Sequence, residues 1–113
     1  MKVEFKELPN NNMTYMGLSC NMVKSIVIDE IPVGIVYLSE LEKENSIYIE
    51  WIEFLNVFQH KHLLRPVMKK LSSEYGKLIF ESQEELYKKY NAIGARHTDT
   101  DDGREMLLWE YVA

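Results

Sequence analysis

The stretch Ile47 to Leu71, IYIEWIEFLNVFQHKHLLRPVMKKL, leaves this chain the least freedom. Ile47, Ile49 and Trp51 alternate with Tyr48 and Glu50, the period-two pattern of a half-buried strand. The phase then slips, because Trp51 and Ile52 are adjacent apolar residues and Phe54 continues the shifted set. One extra residue that moves the apolar side chains to the other parity is what a β-bulge produces, so a bulge is expected at Trp51 and Ile52. Farther on, Leu63, Leu64, Val67, Met68, Leu71 and Tyr75 recur at helical spacing. Pro66 has no N–H and clashes inside a helix, so it belongs in the first turn and sets the start between Leu63 and Arg65. Residues 57–62 remain as a connection aimed at the helix N-terminus, where free N–H groups and the helix dipole favour a phosphate.

The rest of the chain falls into place around this unit. Val3 and Phe5 alternate with Glu4 and Lys6 in a first strand, which Pro9 and the asparagines Asn10 to Asn12 end. Met13 to Asn21 reads as a short helix or a loop. Lys24–Ile28 and Val33–Leu38 form a hairpin that turns near Asp29 and Glu30. Gly76 stops the central helix, and Leu78-Ile79-Phe80 within Lys77–Glu81 suits a buried strand. Ser82-Gln83-Glu84-Glu85 has the Ser-x-x-Glu form of a capping box, opening a helix through Leu86, Tyr87, Tyr90 and Ile93 that Gly94 ends. A short strand near Ala95–Thr98, a hairpin turn at Asp102-Gly103 and a last strand over Glu105–Val112 complete the order. The central strand–helix–strand unit predicts parallel neighbours, Ile47–Leu55 and Lys77–Glu81, joined by a right-handed crossover. The fold class is therefore α/β of the mixed, α+β kind: one domain over 1–113, a mixed sheet with helices on its faces.

A net charge of −5 argues against a nucleic-acid or anionic-membrane partner. The apolar runs fall short of the roughly 18 residues that span a membrane, and MKVEFKELPN lacks the apolar region of a signal peptide. Cys20 is the only cysteine, so no intrachain disulfide forms and a reducing cytoplasm is the default compartment. His60, His62 and His97 have no carboxylate or second thiolate at ligand spacing, so no metal site is expected.

The segment Phe54-Leu-Asn-Val-Phe-Gln59-His-Lys-His-Leu-Leu64 resembles motif A of the GNAT superfamily of N-acetyltransferases. In that motif a bulged strand is followed by Gln/Arg-x-x-Gly-x-Gly/Ala, whose backbone N–H groups hold the pyrophosphate of acetyl-CoA. Gln59 falls on the first position; His62 and Leu64 stand at the two small positions, and His60 replaces a further frequent glycine. Lys89-Tyr90-Asn91-Ala92-Ile93-Gly94-Ala95 resembles the family's Phe-Tyr-x-x-x-Gly-Phe signature, matching at Tyr90 and Gly94. The likeness covers roughly residues 24–112. The family's two helices between its first and second strands have only Asn10 to Met22 to form from, so the resemblance implies a GNAT-like sheet truncated in its N-terminal half.

The resemblance implies acetyl transfer from acetyl-CoA to an amine, with Phe54 and Leu55 at the strand end and Gln59, His60, Lys61, His62, Leu63, Leu64 and Arg65 around the phosphates. Tyr90 would protonate the departing thiolate, as a neutral phenol is able to; the plainer alternative is an aromatic packed on the sheet. Glu50, or Glu53, would supply the base; the alternative is a solvent-facing glutamate of an alternating strand. Lys61, Arg65 and Lys69 form a cationic stripe or a solvated helix face. With side chains at both small positions, binding is expected to be weak or absent, by two lost hydrogen bonds of about 1.5–3 kcal/mol each. A catalytically inactive module that binds another protein is the alternative function. Met13, Met16, Leu18 and Met22 predict an apolar contact surface over residues 13–22, for a homodimer or a protein partner.

Overall fold

The computed structural model describes residues 1–8, 14–15, 18–19, 22–42, 45–98 and 106–113. Among them the chain runs β1 (Val3–Glu7), β2 (Thr14–Tyr15), β3 (Leu18–Ser19), β4 (Met22–Ile28), β5 (Ile31–Glu40) and β6 (Ser46–Phe54). Then follow α1 (Leu64–Tyr75), β7 (Lys77–Gln83), α2 (Tyr87–Ala92), β8 (Arg96–Thr98) and β9 (Met106–Tyr111). Seven strands form one sheet in the order β1-β4-β5-β6-β7-β9-β8. Every neighbouring pair is antiparallel except β6 and β7, which are parallel, as a βαβ crossover requires.

Helix α1 buries Leu64, Val67, Met68, Leu71 and Ser72, the i, i+3, i+4, i+7, i+8 face of an amphipathic helix. That face packs on Ile26, Val36, Leu38, Ile47, Ile49, Leu78 and Phe80 of the sheet, so sequence periodicity alone aims the helix at the core. Pro66 sits in its first turn. At the other end Gly76 has φ +87°, and a Cβ there would lie 2.3 Å from the Asn45 carbonyl oxygen. Only glycine allows the chain to turn straight into β7 at that point.

Three expectations shift. The bulge is at Glu50, one residue earlier than the phase slip suggests: Tyr37 faces Trp51 and Leu38 faces Ile49, leaving Glu50 unpaired in β5. Trp51 consequently leaves the core parity and is 37% exposed, while Ile52 and Phe54 pack inward. Ser82 is no helix cap. It is a buried residue of β7, and a 3-10 turn at Glu84–Leu86, without a side-chain cap, precedes the short α2. Within Met13–Asn21, Thr14–Tyr15 pairs with Leu18–Ser19 in a small antiparallel ladder instead of a helix. Met22 belongs to β4 and packs, partly buried, against the core. Met13 and Met16, and the turn at Asp102-Gly103, lie outside the described residues. No helix among the described residues is long and apolar enough to cross a membrane.

Candidate active site

The bulge at Glu50 marks where the sheet opens. Strands β6 and β7 pair from Ser46 with Lys77 to Ile49 with Phe80 and no farther. From Glu81 to Gln83, β7 is held only by β9 on its other side. The main-chain groups that face one another across this wedge are free of the ladder, and the wedge holds two adjoining clefts. The larger, about 790 Å³, runs between Ile52–Phe54, the loop and helix start from Phe58 to Pro66, and Lys89, Ala92 and Ile93. Such a volume suits a small organic ligand, for which clefts of about 300–1,000 Å³ are usual. The smaller, about 330 Å³, lies between Ile49–Ile52, Phe80–Gln83 and the first turn of α2. Ile52 and Lys89 line both.

A 3-10 turn at Asn56–Phe58 leads out of β6, and Gln59 staples it: its Nε2 donates to the Phe54 carbonyl and to Asn56 Oδ1, both at 3.2 Å. His60 and His62 then take φ +64° and +57°. This left-handed region costs a residue with a Cβ about 1–2 kcal/mol, although histidine enters it more readily than most. The chain thus keeps a glycine-like backbone at both positions without glycine. The first helical hydrogen bond runs from the Val67 N–H to the Leu63 carbonyl at 3.1 Å. Among the described residues, the N–H groups of His60, Lys61, His62, Leu63, Leu64 and Arg65 find no backbone acceptor. All six residues line the larger cleft, beside the positive end of the helix dipole.

Charge agrees with this. Lys61, Arg65 and Lys89 line the larger cleft against one carboxylate, Glu53, which accepts a hydrogen bond from Trp51 Nε1 at 3.1 Å. The Arg65 guanidinium donates to the Ala92 carbonyl at the end of α2, so the loop and α2 are tied across the cleft. One residue of the expected set lies apart from the cleft. Leu55 is 54% exposed and does not line the cleft. Leu64 borders the cleft, but it is only 8% exposed and belongs to the core cluster, so its side chain is taken up by packing while its N–H remains free.

The two residues expected to carry chemistry, Glu50 and Tyr90, meet in the smaller cleft. Glu50 is half-buried at the bulge, and its carboxylate accepts a hydrogen bond from Ser39 Oγ at 2.9 Å. The Tyr90 ring packs 4.9 Å from Phe80 and 5.8 Å from Trp109, centroid to centroid. Trp109 is fully buried and donates from Nε1 to Ser82 Oγ at 2.7 Å, which fixes the platform under Tyr90. Burial holds the Tyr90 hydroxyl above its ordinary value of 10.0, so it keeps its proton at neutral pH. The sequence reading missed Lys89 and Ile52, which join the two clefts. Lys89 was visible as the residue standing where the family motif has an aromatic, but its reach into both clefts depends on the tertiary placement of α2. Among the described residues no three His, Cys, Asp or Glu side chains group as metal ligands would.

The sequence matches no family model and no curated protein. Solved structures do match its fold. A protein from Bacteroides thetaiotaomicron assigned to the GNAT acetyltransferases superposes over 81% of this chain with a TM-score of 0.66 at 15% identity. A Bacillus subtilis acetyltransferase in complex with CoA covers 81% with a TM-score of 0.62 at 9% identity. A GNAT family acetyltransferase from Elizabethkingia anophelis with acetyl-CoA bound covers 81% with a TM-score of 0.57 at 19% identity. The chain spans 61% of the length of the first of these and 76% of the other two. A mixed seven-stranded sheet that opens at a bulged strand, with a helix N-terminus at the opening, is thus the GNAT acetyltransferase fold.

Proposed function

We propose that this chain binds acetyl-CoA in the wedge between β6 and β7 and transfers its acetyl group to an amine. The observation that carries this reading is the loop from His60 to Arg65: left-handed at both histidines, with six N–H groups free of backbone acceptors and bordering the larger cleft. These donors suit a pyrophosphate, and Lys61 and Arg65 add charge beside it. Ile52, Phe58, Leu63 and Ile93 offer apolar walls for a pantetheine arm leading toward the smaller cleft. Bound acetyl-CoA supplies a thioester open to direct attack by a neutral amine. In this reading Glu50 takes the proton that the amine gives up and Tyr90 donates to the sulfur; both line the smaller cleft.

Affinity should still fall below that of a glycine loop. Leu64 turns its side chain into the core, so only the exposed His62 side chain obstructs the approach to the backbone. One hindered hydrogen bond to a charged group costs about 1.5–3 kcal/mol, roughly ten- to a hundredfold in affinity. Calorimetric titration with acetyl-CoA tests the reading, with saturable one-to-one binding expected. No binding at about millimolar ligand would refute it and leave a GNAT-fold module that works through protein contact.

A further inference from the structure

We propose that the Lys89 ammonium is a catalytic group that carries the negative charge of the departing sulfur, an inference that rests on the acetyl-CoA reading above. Lys89 is the charged residue common to both clefts: it lines the larger one beside Arg65 and Ile93 and the smaller one beside Glu50 and Tyr90. Its Nζ lies 5.9 Å from the centroid of the Tyr90 ring. A ligand with its phosphates at the His60–Arg65 loop and its thioester near Glu50 and Tyr90 has to pass this seam.

The chemistry there needs a cation. When the amine nitrogen forms its bond to the acetyl carbon, the carbon–sulfur bond breaks and its electron pair goes to sulfur. The amine proton goes to Glu50 or to water. An alkyl thiol such as that of cysteine titrates near about 8.5. Tyr90, which burial keeps protonated at neutral pH, donates to the sulfur as charge builds there. Lys89, which lines both clefts, shares that charge while the carbon–sulfur bond breaks, and the sulfur takes its proton from Tyr90 or from solvent. The remaining charges are Glu50 and Glu81 in the smaller cleft, which oppose a thiolate. Glu53, His60, His62, Lys61 and Arg65 lie in the larger one, toward the loop. Of all these, Lys89 is the cation that reaches the smaller cleft.

The test uses CoA itself, whose free thiol reports the field at the sulfur without any acceptor. Ultraviolet absorbance of the thiolate is followed against pH for CoA bound to the wild-type protein, to Lys89→Met and to Lys89→Arg, with each protein alone as the blank. At roughly 6 Å, with an effective dielectric constant between about 20 and 80, one cation lowers a thiol pKa by about half a unit to two units. The bound thiol should therefore titrate lower in the wild type than in Lys89→Met, with Lys89→Arg close to wild type. Saturable CoA binding with the same titration in wild type and Lys89→Met overturns the role of Lys89 and leaves the acetyl-CoA reading standing. No saturable binding by the folded wild-type protein overturns both.

Discussion

Two neighbouring substitutions separate what the phosphate loop owes to its backbone from what it owes to its side chains. His62 and Leu64, two residues apart at the start of α1, stand in different surroundings. His62 is exposed at φ +57°, so His62→Gly releases about 1–2 kcal/mol of left-handed cost. It returns about 0.5–1 kcal/mol through the greater freedom of glycine in the unfolded chain, and the net gain in stability lies between about 0 and 1.5 kcal/mol. Opening the approach to the backbone should tighten acetyl-CoA binding ten- to a hundredfold, by about 1.5–3 kcal/mol. Leu64→Ala behaves in the opposite way. At 8% exposure among Val67, Met68 and Leu71, its side chain is core, and truncation costs about 2–5 kcal/mol. That is a large share of the roughly 5–15 kcal/mol that holds a domain of this size. Urea unfolding monitored by tryptophan fluorescence, paired with calorimetric titration, reads both quantities. A Leu64→Ala protein of wild-type stability that binds acetyl-CoA more tightly would refute the reasoning, because it would put that side chain in the ligand's space.

In an acetyl-transfer assay Tyr90→Phe should lower kcat about ten- to a hundredfold, the value of one hydrogen bond to a charged sulfur, while Tyr87→Phe leaves it unchanged; equal losses would remove Tyr90 from the chemistry. The same residue bears on alkaline stability. Its raised folded pKa means that stability is fully present below pH 10 and is lost as pH rises from 10 toward the folded value, so the urea midpoint should drop between pH 8 and pH 11 by less in Tyr90→Phe than in wild type. Gly34→Ala would place a Cβ 2.3 Å from the Glu53 carbonyl oxygen, forcing β5 and β6 apart where Gly34 pairs with Phe54 at the end of β6. A loss of about 3 kcal/mol or more, roughly 10 °C or more in Tm, is expected in a thermal melt, and an unchanged Tm would show that the strands separate freely.

Most of the architecture could be read from periodicity. The helical recurrence from Leu64 to Tyr75, the proline in its first turn and Gly76 at its end fix α1, and the parallel pairing of β6 with β7 follows from the crossover. What escaped depended on partners distant in sequence. The phase slip marked a bulge, but only the pairing of Tyr37 with Trp51 and Leu38 with Ile49 places it at Glu50. Ser82 carried a capping signature, yet the Trp109 indole, 27 residues away, claims its hydroxyl and keeps it in the strand. The site was legible as a set of residues and illegible as a conformation. Nothing in the letters His-Lys-His says that both histidines adopt a left-handed backbone.

The short parallel ladder between β6 and β7 also has a consequence for how the domain holds together. Four paired positions join two antiparallel blocks, β1-β4-β5-β6 and β7-β9-β8. Within the first block, β4, β5 and β6 follow one another through hairpin-like connections, whereas the seam waits on the α1 crossover. The seam is the sheet's single parallel pairing among the described residues and marks the line between the two blocks. A ligand seated in the wedge touches β6 on one side and the Arg65–α2 tie on the other. Bound there as proposed, it would act as a rivet across that line, and amide protons in both blocks would share the protection it confers.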